Sequence, residues 1–322
     1  MKSRSKLLIF ASVFAVAMAP FGLAAQQFEV DSYIVVDVYS KKILSAKNAT
    51  KKRQVASLTK VAAVMVALDW SEATQTDLSQ LAVVPPSALE IGGPNPLGLQ
   101  VGDRISLRDA IYAAVIGSDN LCAETLAMHV GRDLLLRGGE RGTPVGKFVQ
   151  EMNNLAKVQG CVDTRFTNPH GMDHMKPVPY SSAADMARLG IYAMQDAGFR
   201  FYCSQTERKI SFVRGGVDKS FMIRNTNRLL GEDDIDGVKT GLTRLAGACL
   251  IVSAERPSTV EKLAEDKTRI TPHRLLVVVL GASDRFGASR SLLARGWQKY
   301  DVWASEGRVI RKASELLDPP SG

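Results

Sequence analysis

Ser57-Leu58-Thr59-Lys60 sets a hydroxyl three residues ahead of an amine, one turn apart if the segment is helical. A serine hydroxyl is a weak nucleophile until a base takes its proton. A lysine can take it only when burial or a neighbouring cation makes the amine neutral. The spacing alone says little, because roughly one Ser-x-x-Lys is expected by chance in a chain of this length, and Ser3 to Lys6 is such a match. Two later groups give it weight. Ser118-Asp119-Asn120 supplies a hydroxyl suited to relay a proton and an amide suited to hold a substrate amide. By itself it also reads as a plain N-cap turn. Lys239-Thr240-Gly241 supplies a cation and a hydroxyl for a carboxylate, and a glycine that lets a substrate backbone approach. By itself it also reads as a surface strand with a glycine bulge. Strict alternation would send Lys239 and Thr240 to opposite faces, so their joint action requires a local bend.

The elements that must position these groups follow from periodicity. Residues 32–46 read as two strands joined by a turn near Ser40 and Lys41. Residues 55–70 are apolar nearly all round, the mark of a helix buried in a large core. Polar groups on such a helix, Ser57 and Lys60 among them, need partners or a function. Its start also offers backbone N–H groups to an oxyanion. Residues 71–104 are rich in proline and glycine and read as loops and short elements. Helices are expected at 107–115, from Leu121 to near Gly131, at 147–158 and at 183–194, with 137–144 a polar loop. The last third changes period: 209–213, 221–225, 236–242, 247–255 and 273–283 read as strands, with a charged insertion at 256–271 and a closing helix at 285–300. Strands, a helical middle, further strands and a last helix predict an α+β fold: one antiparallel sheet built from both chain ends, with an all-helical lobe inserted.

The chain opens with Lys2, Arg4 and Lys6, an apolar run from Leu7 to Ala19, then Pro20 and Gly22 before Ala24 and Ala25. That is the pattern of a secretory signal peptide over residues 1–25, and it predicts an exported protein, periplasmic or secreted. Losing its three cations lowers the formal charge from +8 to +5. The remaining basic residues are scattered without aromatic interleaving, which argues against nucleic acid as a partner. Cys122, Cys161, Cys203 and Cys249 are widely spaced and show no C-x-x-C, so they read as core residues, with a Cys161–Cys203 bridge conceivable. His170 and His174 lie four apart, yet Pro169 and Gly171 place them in a loop, so neither a metal nor another cofactor is expected.

Taken together, the three motifs resemble the active-site set of penicillin-binding proteins and serine β-lactamases. More closely, the chain resembles the low-molecular-mass D-alanyl-D-alanine carboxypeptidases and endopeptidases from about Phe28 to Trp303. Besides the motifs the resemblance includes RFTNPHGM (165–172), YSSAADMARL (180–189), RNTNRLL (224–230) and DGVKTGLTRLAG (236–247). It implies a β-lactamase/DD-peptidase-like sheet of about five strands flanked by helices, with a catalytic domain over 26–302 and a short tail over 303–322. It implies Ser57 as acylated nucleophile, Lys60 as its base, and Ser118 and Asn120 as proton relay and substrate contact. Lys239, Thr240 and Gly241 would receive the substrate's terminal carboxylate, and the N–H groups of Ser57 and Leu242 would form the oxyanion hole. The implied partners are peptidoglycan stem peptides, with β-lactams as covalent inhibitors.

Three rival readings are weaker. A β-lactamase of the kind that uses a loop glutamate would need one after the second motif, and Glu151 lies in a helical pattern. A non-catalytic envelope binder or penicillin sensor has no support in three intact motifs. A membrane anchor after the closing helix is not expected, because RVIRKASELL is short and weakly amphipathic. Compactness and RNTNRLL lean toward the endopeptidase members. His170 is expected to shape the cleft wall. Arg244 could assist carboxylate binding, but a surface salt bridge is the simpler expectation for it.

Overall fold

The computed structural model describes residues 28–174 and 176–318; the signal peptide expected at 1–25 lies outside them. The opening hairpin pairs β1 (Val30–Asp37) with β2 (Ile43–Lys47). Asp37 closes its turn by accepting the Ser40 N–H at 2.8 Å and the Ser40 hydroxyl. These strands join β7 (Ile235–Thr243), β8 (Gly247–Ala264) and β9 (Lys267–Ala282) in an antiparallel sheet ordered β2-β1-β9-β8-β7. Both chain ends build it, as the sequence predicts. Ile34, Val36, Leu276, Val278 and Leu280 belong to the core on one side, while Val35, Leu275, Val277 and Val279 pack with Leu292, Trp297, Tyr300 and Trp303 of α7 (Arg285–Ser305) on the other. Burial of both faces explains why residues 275–280 are apolar without alternation.

The inserted segment departs from the all-helical expectation. It contains α1 (Thr59–Thr74), α2 (Leu107–Val115), α3 (Asn120–Gly138), α4 (Pro144–Val158), α5 (Ala183–Gln195) and α6 (Ala197–Cys203). It also carries a second antiparallel sheet, ordered β3 (Leu81–Val83), β4 (Arg104–Ser106), β5 (Glu207–Arg214) and β6 (Val217–Arg224). The strands expected at 209–213 and 221–225 therefore belong to the lobe. Helix α3 does not stop at Gly131 but runs seven residues further, because Gly131 is where Pro144, at the start of α4, crosses closest. The charged insertion at 256–271 does not separate the flanking strands but extends them: β8 and β9 continue through it as a hairpin arm, with Val260 opposite Ile270 and Glu261 opposite Arg269.

All four cysteines are buried and free. Cys161 Sγ faces the Asp185 carbonyl at 3.5 Å and Cys203 Sγ faces Met194 Sδ at 3.9 Å, so the conceivable bridge does not form. The chain after α7 folds back: Leu317 is buried, and its N–H reaches the Lys41 carbonyl at 2.9 Å. Helix α1 is the axis of the molecule, buried continuously from Thr59 to Ala67. No described helix is long and apolar enough to cross a membrane.

Candidate active site

Ser57 sits in a short 3-10 turn, Ala56–Leu58, that feeds directly into α1. Lys60 lies on the first turn of that helix and is fully buried. Its Nζ lies 2.8 Å from Ser57 Oγ, 2.7 Å from Asn120 Oδ1 and 2.9 Å from the carbonyl oxygen of His170. The chemistry of these neighbours differs. Two are carbonyl oxygens, which only accept. A neutral amine has two N–H bonds and one lone pair; with both N–H bonds donated to the carbonyls, the lone pair faces the serine. Burial lowers the Lys60 pKa to about 7, against the opposing pull of Asp119 and Cys122. An amine with that pKa is substantially neutral at physiological pH, as a base must be.

Each holder of Lys60 is itself held. The Asn120 side chain donates through Nδ2 to the Gly92 carbonyl at 2.9 Å, which fixes which end of the amide meets Lys60. Its backbone N–H donates to Pro94 O at 2.9 Å, tying the proline- and glycine-rich loop to the start of α3. His170 is 1% exposed, and burial with the nearby Lys60 lowers its pKa to about 3. The imidazole is thus neutral, accepting the Met172 N–H at Nδ1. Asn168 closes this loop by accepting the Gly171 N–H at 2.7 Å and donating to Met172 O at 2.9 Å. Gly171 adopts φ +82°, and a Cβ there would collide with the Ala56 carbonyl oxygen. His170 thus contributes through its backbone, a role with no side-chain signature in sequence.

Ala56 at φ 51° and Ser118 at φ 58° occupy the left-handed region without being glycine. Such conformations cost of order 1–3 kcal/mol each and persist where the surroundings enforce them. One precedes Ser57, and the other is the second-motif serine, two residues before the Asn120 that holds Lys60. Asp119 serves the local structure expected of it: its Oδ1 caps α3 by accepting the Cys122 N–H at 2.9 Å.

The third group lies on β7, the edge strand of the five-stranded sheet. A Cβ added at Gly241 would lie 3.0 Å from Val55 O and 3.2 Å from Ser57 N, so this edge runs against the turn that carries Ser57. Lys239 is buried, with Nζ 3.0 Å from the Thr240 carbonyl, and burial with Lys60 and Arg285 nearby drives its pKa well down. The Thr240 hydroxyl donates to Thr226 Oγ1 at 2.7 Å, and Arg285 donates to the Gly241 carbonyl at 2.7 Å. Among the described residues, no carboxylate lies within ion-pairing distance of Lys239, Arg285 or Arg244. The salt bridge expected of Arg244 does not form among the described residues. Leu242 is exposed on the same edge. Glu151, the one carboxylate weighed as a deacylating base, pairs with Lys147 at 3.1 Å on the face of α4.

The geometry therefore gathers Ser57, Lys60 and Asn120 directly and sets the Lys239 strand beside them. Sequence reasoning missed the His170 carbonyl, Thr226 and Arg285. Only Thr226 left a signal, in RNTNRLL.

Comparison with known proteins gives the chain its relatives. A D-alanyl-D-alanine carboxypeptidase from Escherichia coli is 30% identical over 309 residues, covering 90% of this chain and 68% of its own length. A D-alanyl-D-alanine endopeptidase from Pseudomonas aeruginosa is 29% identical, covering 77% of this chain and 78% of its own. The chain spans about two thirds of the length of the carboxypeptidase relatives it matches. Among solved structures, an ampicillin-bound penicillin-binding protein from Listeria monocytogenes superposes with a TM-score of 0.67 at 24% identity, over 83% of this chain and 97% of that one. A Streptomyces DD-transpeptidase gives 0.69 at 20% identity, over 84% and 97%. These share the fold. The family model for D-alanyl-D-alanine carboxypeptidases matches residues 19–261, and the chain belongs to that family.

Proposed function

We propose that this protein is an exported serine DD-peptidase that cleaves D-alanyl peptide bonds in peptidoglycan stem peptides through an acyl-enzyme on Ser57. The observation that carries the reading is the buried Lys60 amine, 2.8 Å from Ser57 Oγ, with two carbonyl oxygens to take its hydrogens. Ser57 Oγ attacks the D-alanyl carbonyl carbon while its proton passes to Lys60 Nζ. The oxyanion forms against the N–H groups of Ser57 and Leu242. The C–N bond then breaks, and the proton returns by way of Ser118 to the leaving amine. Water next attacks the ester, giving a proton back to Lys60, and Ser57 recovers its own as the acid departs.

An extended substrate laid along the free edge of β7 would present this carbonyl to Ser57 and its carboxylate end to the Lys239-Thr240-Gly241 stretch. Asn120 would touch the substrate's amide. Residues 26–302 form the catalytic unit in this reading, and residues 303–322 a short C-terminal tail. β-Lactams would acylate Ser57 in the same way, as their ring amide mimics the scissile bond. Glu151, the candidate for a β-lactamase-type base, faces Lys147 instead.

The test incubates the mature protein and a Ser57→Ala variant with pentapeptide monomers and cross-linked dimers, with products identified by mass. Release of terminal D-alanine makes it a carboxypeptidase, and dimer cleavage an endopeptidase. Equal activity in both proteins would sink the mechanism. Failure of labelled penicillin to attach at Ser57 would favour the non-catalytic binder instead.

A further inference from the structure

Thr240 belongs to the strand motif, yet its hydroxyl is turned inward. It is 4% exposed, and its one proton goes to Thr226 Oγ1 at 2.7 Å. A hydroxyl whose proton is already donated has only lone pairs left, and lone pairs repel an anion. Thr226, by contrast, is half-buried rather than closed off, and among the described residues no acceptor takes its hydroxyl proton. Thr226 is therefore the more exposed residue of this pair, and the one whose hydroxyl proton is uncommitted among the described residues.

Its backbone is also held. The Thr226 N–H donates to Ile116 O at 2.9 Å, two residues before Ser118, so the threonine bridges the second motif and β7. On one side Asn225 Nδ2 donates to the carbonyls of Cys203 and Gln205 at 3.0 and 2.9 Å. On the other Asn227 Nδ2 donates to Gly237 O at 3.0 Å, just upstream of Lys239. The two asparagines of RNTN thus clamp the residue between them. The surrounding charge selects what it meets. Lys239 and Arg285 lie beside this strand with no carboxylate in pairing distance among the described residues. A site with two basic side chains and a free hydroxyl proton, but no carboxylate of its own, is built for an anionic group, whose arrival would favour the charged form of Lys239.

We propose that Thr226 is a substrate-binding residue, its hydroxyl donating to the carboxylate end of the bound peptide, with Thr240 orienting it by hydrogen bond. This rests on the DD-peptidase reading and assigns part of its specificity to a residue outside the three motifs. The rival role is a brace that merely props up Thr240.

Two D-alanyl ester substrates with the same acyl group separate these roles, one with a leaving group ending in a carboxylate and the other in a carboxamide. Thr226→Val should lower kcat/KM roughly 10- to 100-fold on the carboxylate ester, mostly through KM, the scale for losing a hydrogen bond to a charged group. The loss on the carboxamide ester should be at least about tenfold smaller, and Thr226→Ser should recover most of the wild-type preference. Equal losses on both esters would mean a brace and overturn the proposal, as would no loss at all. If the wild-type protein turns over neither ester, the peptidase reading falls and this inference with it. That outcome is visible before any variant is made.

Discussion

Two lysines lie in this cleft, and they are buried alike but partnered differently. Lys60 meets two carbonyl oxygens and a hydroxyl within 2.9 Å. Lys239 has one hydrogen bond, to a carbonyl of its own strand, and its electrostatic neighbours are Lys60 and Arg285. Burial disfavours the charged form of both. For Lys60 that outcome suits the role proposed for it, because a neutral amine with its hydrogens engaged is ready to take a proton. For Lys239 it leaves an ammonium site without an anion, which an arriving carboxylate would complete. One corner of the cleft is thus assembled before substrate binds, and the other is completed by it.

The contrast predicts different failures. Lys60→Met keeps the volume and removes the base, so acylation by labelled penicillin or a D-alanyl ester should fall roughly a thousandfold or more, in kcat, with KM little changed. Lys239→Met should cost about a hundredfold in kcat/KM, mostly through KM, and only on substrates that carry the carboxylate. Measuring both variants on both ester substrates reads the comparison directly. A Lys239→Met enzyme that loses kcat equally on the carboxamide ester would show that Lys239 joins the proton transfer, and the division between corners would be wrong.

A smaller effect tests how the assembled corner is held. Gly171→Ala puts a side chain at a left-handed position and against the Ala56 carbonyl, behind Ser57. The backbone strain alone costs about 1–2 kcal/mol, so thermal unfolding should come several degrees earlier. Because the same loop carries the His170 carbonyl, acylation should fall as well. A variant that melts earlier but acylates at the wild-type rate would show that the carbonyl is not needed to orient Lys60.

These two corners were also unequally legible. The three motifs, the buried α1 and the strands built from both chain ends follow from residue types and periodicity, whereas the five-stranded count came with the family resemblance. The His170 carbonyl could not, since every residue has one, and only the fold of residues 168–172 aims this one at Lys60. The arm at 256–271 was misread for a physical reason: it projects beyond the sheet, both faces meet water, and no apolar alternation marks it as strand. Gly131 looked like a helix stop because a glycine chosen for close packing and one chosen for a C-cap are the same letter. The lobe's second sheet escaped because β3 and β4 are three residues each, too short to show a period.

The smallest expected effect concerns the charge that opposes burial at Lys60. Among the groups around the amine, Lys239 and His170 couple to it by repulsion, and the Cys122 thiol is held neutral by burial. Asp119 is buried, and its Oδ2 has no hydrogen-bond partner. Its anion raises the Lys60 pKa, while burial raises its own. The base works when neutral, so acylation should climb as pH rises through about 7 and level off above it. Asp119→Asn keeps the α3 cap, since asparagine caps as well as aspartate, and removes the anion. The protonated amine then loses a stabilising neighbour, its pKa falls, and the ascending limb of acylation moves to lower pH. The folded structure should melt near the wild-type temperature. A limb that stays in place would show that Asp119 carries its proton throughout. Lys60 would then owe its poise to burial and its two carbonyls alone.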